Sequence, residues 1–247
     1  MKKEALREER EINHFNELAS QHGYAWWGSK TEAAKVRISR RINILKKLLS
    51  DNQHKILECG CASGEFTKEI ADAFTMDYSI HALDLAESLV KIAKEKITKP
   101  NVNFYVGSIT ELPFNNDFFD AVIGNSILHH LDIEPALTEI KRVLKPNGKL
   151  IFFEPNMLNP QVYICLHNNY FRKLNQASPD ETAFYKWDIK KTLLAIGFKN
   201  VSAKPFDFIH PLIPKNCLKI AKRIETLLEK TPINEIAGSL LITAEKP

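Results

Sequence analysis

Lys55-Ile56-Leu57-Glu58-Cys59-Gly60-Cys61-Ala62-Ser63-Gly64-Glu65-Phe66 runs an apolar strand into an acid, then into a turn of small residues, then into a helix. That order marks a ligand loop at the edge of an α/β sheet. Gly60 and Gly64 let backbone approach a ligand where a side chain would collide. The spacing departs from the dinucleotide fingerprint, which needs a third glycine where Glu65 stands. A carboxylate at Glu58 would also sit badly beside a pyrophosphate. Both features suit a cationic ligand without phosphate.

From this loop the pattern alternates strand and helix. Strands are expected over 54–59, 78–83, 102–107, 119–124 and 149–154, with helices over 64–73, 86–97 and 135–144 between them. The fifth strand follows the turn Lys145-Pro146-Asn147-Gly148. A helix over 183–196 and strands over 198–205 and 238–245 complete the pattern. Repeated βα units imply a doubly wound α/β fold, with seven mostly parallel strands and helices on both faces. Residues 1–50 read as a helical N-terminal cap, and 51–247 as the main domain. Two irregular stretches, about 156–180 and 205–236, read as lid insertions. In the helix over 31–49 an apolar face opposes Lys35, Arg37, Arg40, Arg41, Lys46 and Lys47, expected to be a solvated basic face.

The bulk numbers narrow the classes. A chain of 247 residues, 44% apolar and 26% charged, can bury one large core. Its net charge of +4 does not call for nucleic acid or a membrane. No apolar run approaches the ~18 residues of a membrane span, and the mixed-charge start lacks a signal-peptide stretch, so cytoplasm is the default. Cys59, Cys61, Cys165 and Cys217 form no ligand pattern, and no metal site is expected.

In such a fold the ligand lies outside the carboxyl ends of the strands. The second strand ends in His81-Ala82-Leu83-Asp84, and Asp84 lies twenty residues past Gly64, the spacing at which an acid takes ribose hydroxyls. Asp84 also suits a helix cap for the segment that follows. The third strand exits into Gly107-Ser108-Ile109-Thr110-Glu111-Leu112-Pro113-Phe114. The fourth exits into Gly124-Asn125-Ser126-Ile127-Leu128-His129-His130-Leu131, and Arg142-Val143-Leu144-Lys145-Pro146-Asn147-Gly148 follows.

Taken in this order, residues 54–155 resemble the class I S-adenosylmethionine-dependent methyltransferases, and within them the ubiquinone/menaquinone-biosynthesis-like small-molecule enzymes. The resemblance implies a Rossmann-like fold and S-adenosylmethionine as cofactor, leaving as S-adenosylhomocysteine. It implies cofactor contacts at Glu58, Gly60, Cys61, Ala62, Gly64, Asp84 and Leu85, then at Ser108, Ile109, Asn125 and Ser126. The family usually has an acid where Ser108 stands, and a glycine where Asn147 stands.

If the acceptor is a hydroxyl, a base must take its proton, and histidine suits neutral pH. His129 is the expected base, with Glu154 to orient it or bind the acceptor; His130 reads as a packed structural histidine. Trp26, Trp27, Tyr163, His167, Tyr170 and His210 are expected at the acceptor or its lid, with Tyr24 and Phe171 in the same aromatic patches. The leading expectation is O-methylation of a small molecule by a monomer or homodimer. Methylation of RNA or protein through the basic face, a non-catalytic cofactor-binding protein and a nicotinamide oxidoreductase are the alternatives.

Overall fold

The computed structural model describes residues 2–22, 31–49, 55–75, 77–174, 176–178 and 180–247. In chain order the elements are α1 (Lys2–His22), α2 (Glu32–Leu48), β1 (Lys55–Cys59), α3 (Glu65–Ala73), β2 (Ser79–Asp84), α4 (Glu87–Lys96), β3 (Val102–Val106) and β4 (Phe119–Asn125). Then follow α5 (Ile133–Val143), β5 (Leu144–Pro155), α6 (Pro160–His167), α7 (Asn169–Leu174), α8 (Lys186–Ile196), β6 (Lys199–Phe206), α9 (Leu218–Leu228) and β7 (Ser239–Glu245).

Seven strands form one sheet in the order β3-β2-β1-β4-β5-β7-β6. Pairing is parallel from β3 through β5, and β7 runs antiparallel between β5 and β6. Strand order reverses between β1 and β4, so the loops after Cys59 and Asn125 flank a natural ligand crevice.

Both sheet faces are covered, which is why the central strands are apolar on successive residues. Leu57, Val122 and Phe152 pack with Leu137 and Ile140 of α5 and Leu193 of α8. On the other face Ile56, Ile123 and Phe153 pack with Ile42 and Leu45 of α2 and Ile70 of α3. Thus α2 is built into the core beneath the sheet.

The basic side of α2 is the expected solvated face at Lys35, Lys46 and Lys47, which are exposed, but not at its three arginines. Arg37 meets Asp207 at 2.7 Å, Arg40 pairs with Glu225 at 2.9 Å and with Glu229, and Arg41 is buried beside Asp207. The acids come from the segment after β6, which folds back over α2; spacing within α2 alone cannot show them. The turn Lys145–Gly148 is absorbed into β5 as a shift of register, and Asn147 takes the left-handed conformation with φ of +62°. The first insertion is not irregular throughout, since α6 and α7 lie in it. No helix among the described residues is long and apolar enough to cross a membrane.

Candidate functional site

A cavity of about 550 Å³ opens above the carboxyl ends of β1 to β4, with α1, α2 and α6 contributing to its walls. Gly60 turns the chain there with φ of +73° and donates to Leu83 O at 2.8 Å. A Cβ at this position would lie 2.6 Å from Ile127 Cγ1, so glycine lets the loops after β1 and β4 close on one another. Gly60, Ala62, Leu85, Ile109, Asn125 and Ser126 line the cavity.

Three expected cofactor residues do not line it. Cys61 is buried against Ala82 and Val90. Gly64 has φ of +84°, and a Cβ there would meet Ile97 and Ala93 at 2.9 and 3.0 Å; its work is packing the loop against α4. Glu58 is buried behind the loop, 1% exposed, where burial pushes its carboxyl up to about 8. It is therefore mostly protonated at neutral pH, and does not present a carboxylate to a cationic ligand.

Asp84 lines the cavity, with Oδ2 accepting from Ala62 N–H at 2.8 Å and Oδ1 from Ala86 N–H at 2.9 Å. The cap of α4 is Ala86, which has no side-chain cap bond, so Asp84 is not the helix cap; it ties the loop after β1 to the residue that precedes α4, and it faces the cavity. Burial raises its carboxyl above the ordinary range, against the pull of those N–H groups. Beyond β3, Ser108 also lines the cavity, and its hydroxyl donates to Glu8 of α1.

The fourth strand exits into a 3-10 turn, Leu128–His130, pinned from β5. Glu154 Oε1 accepts from Ile127 N–H at 3.0 Å and Leu128 N–H at 2.9 Å, while Oε2 lies 2.7 Å from His129 Nδ1. Glu154 is 1% exposed and stands behind His129, which lines the cavity. The other imidazole nitrogen, Nε2, is 3.9 Å from Glu181 Oε1. His130 also reaches the cavity, its Nδ1 3.0 Å from Glu11 of α1. One donor atom each from His129, His130 and Glu181 lies within 4.8 Å of the others.

This crowding pushes the two histidines apart. Burial lowers His129, but the bond and charge of Glu154, with Glu181 and Glu11, outweigh it and hold His129 above its ordinary value. His130 is lowered, by burial and by its neighbour His129. Such a split is the pattern of an acid–base site.

At the other end Arg41 donates to Asn125 Oδ1, to Asp207 at 3.3 Å and to Ser239 at 3.1 Å. Two guanidiniums, Arg37 and Arg41, share Asp207, and Arg41 Nε finds no acceptor among the described residues. Burial and the nearby Arg37 pull Arg41 down to about 10.

The aromatic lid expectation fails in part. Tyr163 and Tyr170 are 47% and 70% exposed, and Tyr163 stacks on His167 rather than on the cavity. α6 turns Gln161, Val162, Cys165 and Leu166 inward, so the helical phase puts 163 and 167 outside. Tyr170 and Phe171, on α7, do not line the cavity either. His210 does, 2.7 Å from Gln161. Tyr24, Trp26 and Trp27 lie outside the described residues. Sequence reasoning missed Glu8, Glu11, Glu181, Arg37, Arg41 and Asp207, none of which belongs to a recognisable motif.

Residues 57–152 match a family described as a methyltransferase domain. A demethylmenaquinone methyltransferase of Staphylococcus aureus is 27% identical over 207 residues, covering 68% of this chain and 85% of the relative. A S-adenosylmethionine-dependent methyltransferase of Thermotoga maritima has a TM-score of 0.65 at 18% identity, over 97% of this chain and 98% of that one. A phosphoethanolamine N-methyltransferase of Haemonchus contortus, solved with phosphomonomethylethanolamine and S-adenosylhomocysteine, has a TM-score of 0.63 at 18% identity, over 85% of this chain and 53% of that one. The two structural likenesses establish the fold.

Proposed function

We propose, from the premise that this chain is a class I S-adenosylmethionine-dependent methyltransferase, that it methylates a small molecule at a hydroxyl, with His129 as general base and Glu154 as its orienting partner. The cavity fits the cofactor. Asp84 offers charged lone pairs for ribose hydroxyls. Arg41, buried, with an Nε unpartnered among the described residues and with Asp207 shared with Arg37, suits the carboxylate of the methionine arm. When bound, S-adenosylmethionine supplies a methyl group activated on a sulfonium.

The chain's own work is then positioning and proton removal. Glu154 is fixed by two backbone N–H groups and takes Nδ1–H of His129, which leaves the lone pair on Nε2. An acceptor hydroxyl gives its proton to Nε2 as its oxygen attacks. The resulting imidazolium faces Glu154, Glu181 and Glu11. The buried 2.7 Å contact of His129 with Glu154 is the observation that carries this reading.

Size and lining support a small, partly apolar acceptor. A cavity of about 550 Å³ is in the range of small-molecule sites, and Val162, Leu166 and Ile209 are among its lining residues. The Staphylococcus aureus relative is named for a quinone, demethylmenaquinone, and the apolar part of this lining suits a ring-shaped acceptor. Methylation of RNA or protein loses part of its support, because Arg37, Arg40 and Arg41 are engaged inward and only Lys35, Lys46 and Lys47 of that face stay exposed.

The test is methyl transfer from labelled cofactor to a panel of catechols and hydroquinones, with total RNA and cell protein as competitors. Label should appear on a small-molecule oxygen, and His129→Ala should slow single-turnover transfer by about 100-fold or more without changing S-adenosylhomocysteine affinity. Label on polymer alone, or an unchanged rate in the variant, would overturn the proposal.

A further inference from the structure

We infer that Glu8 of α1 reads the purine of the cofactor, so that the N-terminal helix closes over the cofactor site and is held closed by it. The inference rests on the cofactor reading above.

The cavity continues from Asp84 past Leu85 to the exit of β3 at Gly107, Ser108 and Ile109. Leu85 and Ile109 give this end an apolar wall, and α1 brings Ile12 and Phe15 to the same cavity. An apolar slot beside the proposed ribose acid is where a purine ring would lie. Its polar edge is made by Ser108 and Glu8.

Ser108 Oγ donates to Glu8 Oε1 at 2.5 Å, and Thr110 Oγ1 donates to the same oxygen at 3.2 Å. Ser108 Oγ in turn accepts from Thr110 N–H at 3.1 Å. Two hydroxyls thus fix one oxygen of Glu8, while Oε2 receives no hydrogen bond from the described residues. With its proton directed at Glu8, Ser108 is a weak acceptor for a ligand. A carboxylate is a stronger one. The amino group of adenine is a donor and matches it. A 6-oxo purine would set a carbonyl against carboxylate lone pairs, which is repulsive.

The docking of α1 is suited to opening and closing. Arg7 donates to Asp180 O at 3.0 Å and Arg10 pairs with Asp180 at 2.6 Å. Glu11 accepts from Ser178 Oγ at 2.7 Å, and His14 lies 3.0 Å from Gln176 O. Of these groups Glu11, His14 and Gln176 line the cavity. Among the described residues none of α1 belongs to the buried apolar clusters of the sheet. An element held by polar contacts at a rim opens more readily than one held by core packing. A bound purine would add the missing contact and hold α1 down.

The test compares calorimetric binding of S-adenosylhomocysteine and its 6-oxo analogue, S-inosylhomocysteine, to wild type, Glu8→Gln and Glu8→Ala. Melting curves confirm that each variant folds. Wild type should prefer adenine by about 30-fold or more, and Glu8→Gln, whose amide can donate to a 6-oxo group, should lose at least about tenfold of that preference. Hydrogen exchange in α1 should slow on addition of S-adenosylhomocysteine in wild type and respond less in Glu8→Ala. Equal discrimination in all three proteins, or exchange in α1 indifferent to the ligand, would overturn the inference and leave the cofactor reading standing. Wild type that fails to bind S-adenosylhomocysteine would overturn both.

Discussion

Replacing Glu154 with glutamine tests the proposed base through its partner, because the two side chains have nearly the same shape. In the native protein Oε1 receives Ile127 N–H and Leu128 N–H, and Oε2 receives Nδ1–H of His129. Glutamine keeps an oxygen for the two backbone groups. Its amide nitrogen then faces Nδ1, and since both cannot donate, the imidazole moves its proton to Nε2. The nitrogen facing the acceptor becomes a donor and cannot act as a base. Loss of a positioned base is worth ~10²–10⁴ in rate. The fold should suffer far less: exchanging charged for neutral bonds costs about 1–2 kcal/mol, or roughly 2–8 °C in Tm for a chain of this size. Glu154→Ala differs, since it leaves two buried N–H groups unpaired at about 1–3 kcal/mol each. Single-turnover methyl transfer as a function of pH, with S-adenosylhomocysteine binding as control, is the assay. Wild-type rate should rise with pH through a value above the ordinary histidine pKa of about 6.5, because His129 is held up and must be deprotonated to act. Glu154→Gln should lose that rise along with the rate, at unchanged cofactor affinity. A variant within about threefold of wild type, with the same profile, would refute the assignment of His129 and the tautomer argument together.

Asp84→Asn keeps one acceptor oxygen for two backbone N–H groups and removes the charge offered to the ribose; affinity for S-adenosylhomocysteine should fall about 10–100-fold by calorimetry. An affinity within about threefold of wild type would remove Asp84 from the cofactor site. Glu58→Gln tests a pH effect on folding. The folded carboxyl titrates near 8, above its unfolded value of 4.5, so the folded state holds a proton that the unfolded state releases between those values. Wild-type stability should therefore decline as pH rises from about 5 to 8, by several kcal/mol at most. Glu58→Gln should flatten that decline in chemical denaturation, and an identical pH dependence in the variant would contradict it.

Much of the fold was legible because central strands of a parallel sheet are apolar on both faces and end in turns of small residues. Lys55–Cys59, Phe119–Asn125 and the loops that follow them fall where sequence periodicity put them. Asp84 was legible for the same reason, since its distance from the loop is set by one βα unit. Residues reaching the cavity from elements distant in sequence were not legible. Glu8 meets Ser108 across 100 positions, and Arg37 meets Asp207 across 170. No local spacing encodes such pairs; they exist only once α1 and the segment after β6 have folded over the sheet. The aromatic residues misled for a simpler cause. Composition identifies a sticky segment but not its phase, and on α6 a step of one or two residues puts Tyr163 and His167 outside and Gln161 and Leu166 inside.

The charges of the cavity form a pattern that bears on the acceptor. Around the histidines lie Glu11, Glu154 and Glu181, and the Glu11 carboxyl is held below its usual range by His130, against burial. At the far end two guanidiniums share Asp207. In a partly buried cavity, unit charges 4 Å apart interact by about 4 kcal/mol, enough to decide which end of a zwitterion lies where. A cofactor with a cationic sulfonium and a carboxylate therefore has one favoured direction on the proposed reading. The acid-ringed end also sets a condition on the chemistry. Positive charge disappears from sulfur as the methyl group leaves, and three carboxylates would then face no cation. If the acceptor is a hydroxyl, its proton passes to His129, and the same carboxylates face one positive charge before and after. An acceptor that hands no proton to His129 breaks this balance in a site of low dielectric, where an uncompensated charge is expensive. That electrostatic continuity is the physical ground for expecting an acceptor that gives up a proton, a demand that a hydroxyl meets and that amine and ring-carbon acceptors share.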